Sequence, residues 1–140
     1  MRIFLAPMEG VIDHHFRKLY SAIGGIDVFV SEFLRVNDVP VSKKVFLRDC
    51  PELQQASHTN QRLSATPDGT PLRVQLLGSN PETIAASAVT AVNLGASAID
   101  LNFGCPAKTV NKSRGGAVLL KDPQLVGEIV RQVRVAVPNE

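Results

Sequence analysis

Four short apolar runs, Ile3-Phe4-Leu5-Ala6, Val28-Phe29-Val30, Leu72-Arg73-Val74-Gln75-Leu76-Leu77 and Ala98-Ile99-Asp100-Leu101, stand apart along the chain, with amphipathic stretches in most of the gaps. Runs of this length read as strands, and three of them are nearly unbroken in apolar residues, as parallel strands covered on both faces must be. Helical spacing fills the intervals. Phe16, Leu19, Tyr20 and Ile23 share one face between Asp13 and the Gly24-Gly25 stop. Ser79 or Asn80 caps, and Pro81 opens, a helix through Ile84, Ala88 and Ala91 to a stop near Gly95. Asp122-Pro123 opens another, whose apolar face holds Leu125, Val126, Ile129, Val130, Val133 and Val137. Between Asn37 and Pro71 the pattern dissolves among prolines and small polar residues, which predicts a short helix or turn and then an exposed excursion around Thr59 to Gly69.

Strand and helix alternating about four times predict a parallel α/β sheet. A closed (β/α)8 barrel takes about 250 residues, so 140 residues make either a truncated piece of one or a smaller open α/β domain. The ending at Val137-Pro138-Asn139-Glu140, after a helix and where another strand is due, favours truncation. An open half-barrel leaves the first and fourth strands with unpaired edges, which predicts self-association or aggregation. At 44% hydrophobic and 20% charged residues the composition is that of an ordinary globular domain. No stretch nears the roughly 20 apolar residues that cross a bilayer, and Pro7 and Glu9 interrupt the start too early for a signal peptide, so the expected location is the cytosol. A net charge of +2 suits an anionic partner without indicating a self-sufficient nucleic-acid binder.

In parallel α/β folds, sites form beyond the carboxyl ends of the strands, and the residues with chemical potential gather there. Pro7, Met8 and Glu9 follow the first strand, Glu32 and Arg35 the second; Gln75 lies in the third, and Asn102 to Pro106 follow the fourth. Cys105, between Gly104 and Pro106, is placed as a functional thiol, nucleophile or acid, rather than a small buried hydrophobe. Asn102 either bonds a ligand or caps the turn. Gln75, in an otherwise apolar strand, needs a partner, either a ligand or a neighbouring backbone group. Ala6-Pro7-Met8 either offers backbone groups and a soft thioether to an aromatic ring system or is a rigid strand end. Glu32 and Arg35 either pair on the surface or line the mouth of a cleft. His14, His15 and His58 have no metal-ligand spacing and read as surface residues, so no metal is expected. Lys108, Lys112, Arg114 and Lys121 give the fourth loop and its flank a positive lean, which either suits phosphate or is that of a solvated loop. The two cysteines, Cys50 and Cys105, are expected as thiols.

Taken together, Ala6-Pro7-Met8-Glu9-Gly10-Val11 with Asp13, Val74-Gln75-Leu76-Leu77-Gly78, and Asp100-Leu101-Asn102-Phe103-Gly104-Cys105-Pro106 with Gly115-Gly116-Ala117 resemble the tRNA-dihydrouridine synthase family. The resemblance covers nearly the whole chain in the right order. Glu32-Phe33-Leu34-Arg35-Val36 and Cys50-Pro51-Glu52-Leu53-Gln54 look most like its bacterial C subfamily.

That resemblance implies a flavoprotein oxidoreductase in which NADPH reduces FMN and a uridine of tRNA becomes 5,6-dihydrouridine. It implies hydride delivery to C6 and a proton from a cysteine to C5. Carried onto this chain, Cys105 is the acid; Pro7, Met8, Glu9 and Gln75 belong to the FMN site; Arg35 and Asn102 contact tRNA. A thiol, mostly protonated at neutral pH, suits the acid's role. The implied architecture is the N-terminal half of a TIM (β/α)8 barrel, about four βα units over residues 1–140. The family's later flavin-binding lysine and histidine, its phosphate site and its C-terminal helical RNA-binding domain are expected beyond Glu140, so the 140-residue chain alone is expected not to reduce uridine. The competing expectations are another FMN barrel acting on a free pyrimidine and a non-catalytic RNA-binding fragment.

Overall fold

The computed structural model describes residues 1–54, 64–112 and 114–137. Five parallel strands form one sheet: β1 (Phe4–Leu5), β2 (Val28–Val30), β3 (Leu34–Arg35), β4 (Leu72–Leu77) and β5 (Ala98–Leu101). Among the described residues the helices that accompany them are α1 (His14–Ile23), α2 (Lys43–Asp49), α3 (Pro81–Asn93), α4 (Lys108–Lys112) and α5 (Pro123–Ala136), with a 3-10 turn at Gly116–Lys121. Parallel strands alternate with helices, which is the expected α/β class.

Four rungs lie side by side in chain order, as in the first half of a (β/α)8 barrel, because β2 and β3 are one interrupted strand. β2 pairs with the start of β4, Val30 opposite Arg73, and β3 with its end, Leu34 opposite Leu76. Three residues on one side of that gap face two on the other, which is a β-bulge. The Ser31 hydroxyl accepts from the Gln75 backbone N–H at 2.9 Å, filling the place of a ladder carbonyl. The bulge re-aims Glu32 and Phe33, a displacement that apolar patterning cannot register.

The core lies between β4 and the helices. Phe29, Leu72, Val74 and Leu76 pack with Ile84, Ala88 and Ala91 of α3 and with Ile129 and Val133 of α5. The alanines of α3 let α5 come close, and these two helices form the most extensive contact between elements. Capping follows expectation: Asn80 Oδ1 accepts from the N–H groups of Glu82 and Thr83, and Asp122 Oδ1 from Leu125. Val130 is an exception to the expected face of α5. It is exposed, since it stands a full helical step away from Ile129.

Other departures are larger. The buried face of α1 is Arg17 and Ser21, whereas Leu19 and Ile23 are exposed. Arg17 is 0% exposed, and its guanidinium makes four hydrogen bonds. It donates to both oxygens of Glu52 at 2.8 and 3.1 Å, to the carbonyl of Ile12 at 3.1 Å and to that of Asp49 at 3.0 Å. Burial works against its charge, but Glu52 more than compensates and holds the group above its ordinary pKa. The segment expected as an exposed excursion differs in part where it is described: Pro67, Asp68 and Gly69 are exposed, but Ser64 and Thr66 are buried, and Ala65 bridges Pro71 around a turn organised by Asp68. The remainder of that excursion, and His58, lie outside the described residues. The long loop after β5 contains α4 and the 3-10 turn. At the sheet's margin Phe4 is 44% exposed, with Arg2 and Arg73 over its ring. Among the described residues, β1 and β5 have no partner on their outer edges.

Cys50, at the end of α2, is fully buried. Burial pushes its thiol up to about 12, against the pull of Arg17. The folded state thus keeps this proton to higher pH than the unfolded chain does. The group's contribution to stability is complete below the unfolded value of 9.0 and is lost as pH rises toward 12. Urea unfolding at about pH 8 and about pH 11 is expected to show this loss, and a Cys50→Ala variant to show a smaller one.

Candidate active site

At the carboxyl ends of the strands lies a cavity of about 430 Å³. Pro7 and Glu9 reach it from beyond β1, Phe33 from the bulge, Gln75 from β4, Leu101 from the end of β5, and residues 102–106 from the segment after it. Its size is that of a small-molecule site, and its walls mix proline and phenylalanine rings with amides and one thiol. A second hollow, about 580 Å³, lies along α2 and is lined by Lys43, Lys44, Leu47, Arg48 and Gln54. It is the larger, but it offers no thiol or acid, so the first is the candidate site.

The strand register creates the wall opposite Pro7. Gln75 stands directly across from Asp100 in the β4–β5 ladder, and Asn102, two residues on, shares the Asp100 face. Gln75 Nε2 donates to Asp100 Oδ2 at 2.6 Å, and Asn102 Nδ2 donates to Gln75 Oε1 at 2.9 Å. The partners of Gln75 are therefore two side chains, neither of them the backbone group allowed for above. Asn102 Oδ1 accepts from the N–H groups of Gly104 and Cys105, both at 3.0 Å, so Asn102 caps the turn that carries the thiol.

Beyond the thiol the loop folds back on itself. Asn111 ties its two sides together, its Nδ2 donating to the Pro106 carbonyl at 2.9 Å and its Oδ1 accepting from the Val118 N–H at 3.1 Å. Ala117 N–H donates to the Cys105 carbonyl at 2.9 Å. Gly116 adopts a φ of +66°, and a Cβ there would lie 2.5 Å from the Cys105 carbonyl oxygen. Gly116→Ala is expected to cost about 1–3 kcal/mol through left-handed strain and this overlap. It should also displace Cys105; thermal unfolding and thiol alkylation rates check the two effects.

Pro7, Glu9, Gln75, Asn102 and Cys105 are thus brought to one cavity. Met8 is 58% exposed and not part of the lining; its carbonyl accepts from Val11 and Ile12 and so shapes the turn after β1. Arg35 is exposed at the end of β3, also outside the lining. No Glu32–Arg35 pair forms, because Glu32 Oε1 accepts from the Val11 N–H at 3.1 Å and so holds the turn after β1. Lys108, Lys112 and Arg114 are exposed around the loop. Phe33 in the lining, and Asp100 and Asn111 behind it, are residues that the sequence did not single out. Asp100, in register with an isolated strand glutamine, was the findable one. Asp13, His14 and His15 hold ligand atoms within 4.8 Å of one another, closer than their spacing suggested, but Asp13 Oδ1 already caps α1 through the Phe16 N–H at 2.8 Å. The two thiols divide, Cys50 in the core and Cys105 half-buried in the cavity wall.

The family model described as "Dihydrouridine synthase (Dus)" matches residues 4–140. The chain belongs to the dihydrouridine synthase family. Relatives named tRNA-dihydrouridine(16) synthase include that of Shewanella oneidensis, 51% identical over all of this chain and 42% of the relative. That of Pseudomonas putida is 54% identical over 99% of this chain and 41% of its own length, and that of Haemophilus influenzae 47% over 100% and 43%. The chain therefore spans about two fifths of the length of the curated relatives it matches. No helix among the described residues is long and apolar enough to cross a membrane.

Proposed function

We propose that this chain forms one wall of the uridine-reducing site of an FMN-dependent tRNA-dihydrouridine synthase, with Cys105 as the proton donor. The observation that carries the reading is the meeting of Cys105 with the Gln75–Asn102 amides in one ring-sized cavity at the carboxyl ends of parallel strands. Family membership supplies the reaction class.

The donor set fits a flat heterocycle. Proline and phenylalanine side chains provide apolar faces, and the amides of Gln75 and Asn102 provide hydrogen bonds at the edge. Pro7, Met8, Glu9 and Gln75 would hold FMN, Met8 from the rim. FMN held there, and reduced by NADPH, would supply the hydride for C6 of uracil. Cys105, fixed by Asn102 through the turn and by Ala117 through its carbonyl, holds the proton for C5. Arg35, exposed beside the cavity, meets the tRNA, whose target base must leave its stack to enter. The names of the relatives put uridine 16 forward as that base. We assign the remaining flavin contacts and a helical RNA-binding domain to the further length that the relatives have.

The test is dihydrouridine formation by the complete protein with FMN and NADPH, measured by mass spectrometry of nucleosides. Unmodified tRNA is expected to be reduced; free uracil and orotate are not. Reduction of a free pyrimidine in preference to tRNA would replace this reading with that of a metabolic flavin barrel. The isolated 140-residue chain is expected to give no turnover.

A further inference from the structure

The amide of Gln75 sits between two neighbours of opposite demand. On one side is the Asp100 carboxylate, an acceptor only when ionised; on the other, beyond Asn102, are the backbone N–H groups of Gly104 and Cys105, donors only. A side-chain amide turned end for end keeps its shape, so its partners decide which way it points. With an acceptor at one end of the chain of bonds and two donors at the other, one orientation of each amide satisfies every contact. Turning Gln75 alone would set its oxygen against Asp100 and its N–H against that of Asn102. Turning both would set the Asn102 N–H against those of the loop.

The consequence falls on the cavity. Asn102 Oδ1 already accepts two bonds from the loop, and Nδ2 gives one of its two hydrogens to Gln75. Gln75 Nε2 likewise gives one hydrogen to Asp100. Each amide keeps one N–H beyond these bonds, and both residues line the cavity, whereas Asp100 does not. We infer that Asp100 is a positioning residue: through Gln75 it holds Asn102 so that the remaining Asn102 amide N–H is offered to the cavity as a donor, which selects the C4 carbonyl of uracil over the exocyclic C4 amine of cytosine. The identity of the ring rests on the proposed function; the relay of hydrogen bonds does not.

Two substitutions in the complete protein separate acceptance from charge. Asparagine at position 100 can still turn a carbonyl oxygen toward Gln75, and alanine cannot. In Asp100→Ala the side-chain amide protons of Gln75, followed by NMR, are expected to exchange with solvent roughly tenfold faster. In Asp100→Asn they should stay within about twofold of the unsubstituted protein. Unchanged exchange in the alanine variant, or equal acceleration in both, overturns the relay. Should the alanine variant not fold, accelerated exchange in the asparagine variant alone would still refute it. Stem-loop RNAs differing only in uridine or cytidine at the target position test the selectivity. The unsubstituted protein and Asp100→Asn are expected to prefer uridine by about tenfold, and Asp100→Ala to lose that preference. A preference retained in Asp100→Ala, or absent from the unsubstituted protein, overturns the selectivity assigned to this wall. If exchange behaves as expected while the complete protein forms no dihydrouridine, the relay stands and the reaction assignment is the part that fails.

Discussion

Cys105→Ala is expected to lower dihydrouridine formation by the complete protein by about 10²- to 10⁴-fold, the range for loss of a positioned general acid. Flavin should remain bound. The reason lies in what else the thiol touches: the turn that carries it is held by its backbone, through Asn102 and Ala117, and not by its side chain. Removing the sulfur therefore takes away a proton donor and leaves the wall standing. Flavin absorbance and product formation should part company in this variant, the first unchanged and the second lost. Full retention of dihydrouridine formation would remove Cys105 from the mechanism and return it to the class of small packing residues. Gly116→Ala provides the contrast, since it disturbs the backbone beneath the thiol while keeping the sulfur.

The second large effect is on stability. Arg17→Ala is expected to destabilise the fold by about 3–5 kcal/mol, because it strands the Glu52 carboxylate at 5% exposure without its partner. It also leaves two backbone carbonyls, of Ile12 and Asp49, without their donor. Urea unfolding measures the loss. Replacing both members of the pair, Arg17→Met with Glu52→Leu, is expected to recover most of it, since an apolar pair of similar volume avoids the cost of burying two charges. A small loss in the single variant would mean that water reaches Glu52 once the arginine is gone. The pair has a bearing on the site as well: it joins α1 to the chain just past α2, and α1 follows directly on the turn that brings Pro7 and Glu9 to the cavity.

Local pattern was enough for the elements whose physics is local. Apolar runs marked the rungs of the sheet, Asn80-Pro81 and Asp122-Pro123 marked two helix starts, and the Gly104-Cys105-Pro106 turn marked the thiol as a residue of a site. Periodicity failed at α1, where Leu19 and Ile23 look like a core face and are exposed. An arginine outcompetes them for the interior once a carboxylate 35 residues away is there to pair with it, and nothing within the helix reports that partner. The same limit explains Gln75. Its need for a partner was legible, but Asp100 and Asn102 lie 25 and 27 residues on, and only parallel pairing of β4 with β5 brings them within bonding distance. The bulge at Ser31 to Phe33 was equally hidden, because it arises from a register shift between two strands and not from either one. Sequence determined the class of fold and the family and put Cys105 forward; tertiary structure decided which way the amides face and which charges are inside, since both depend on partners that the chain supplies only when it closes on itself.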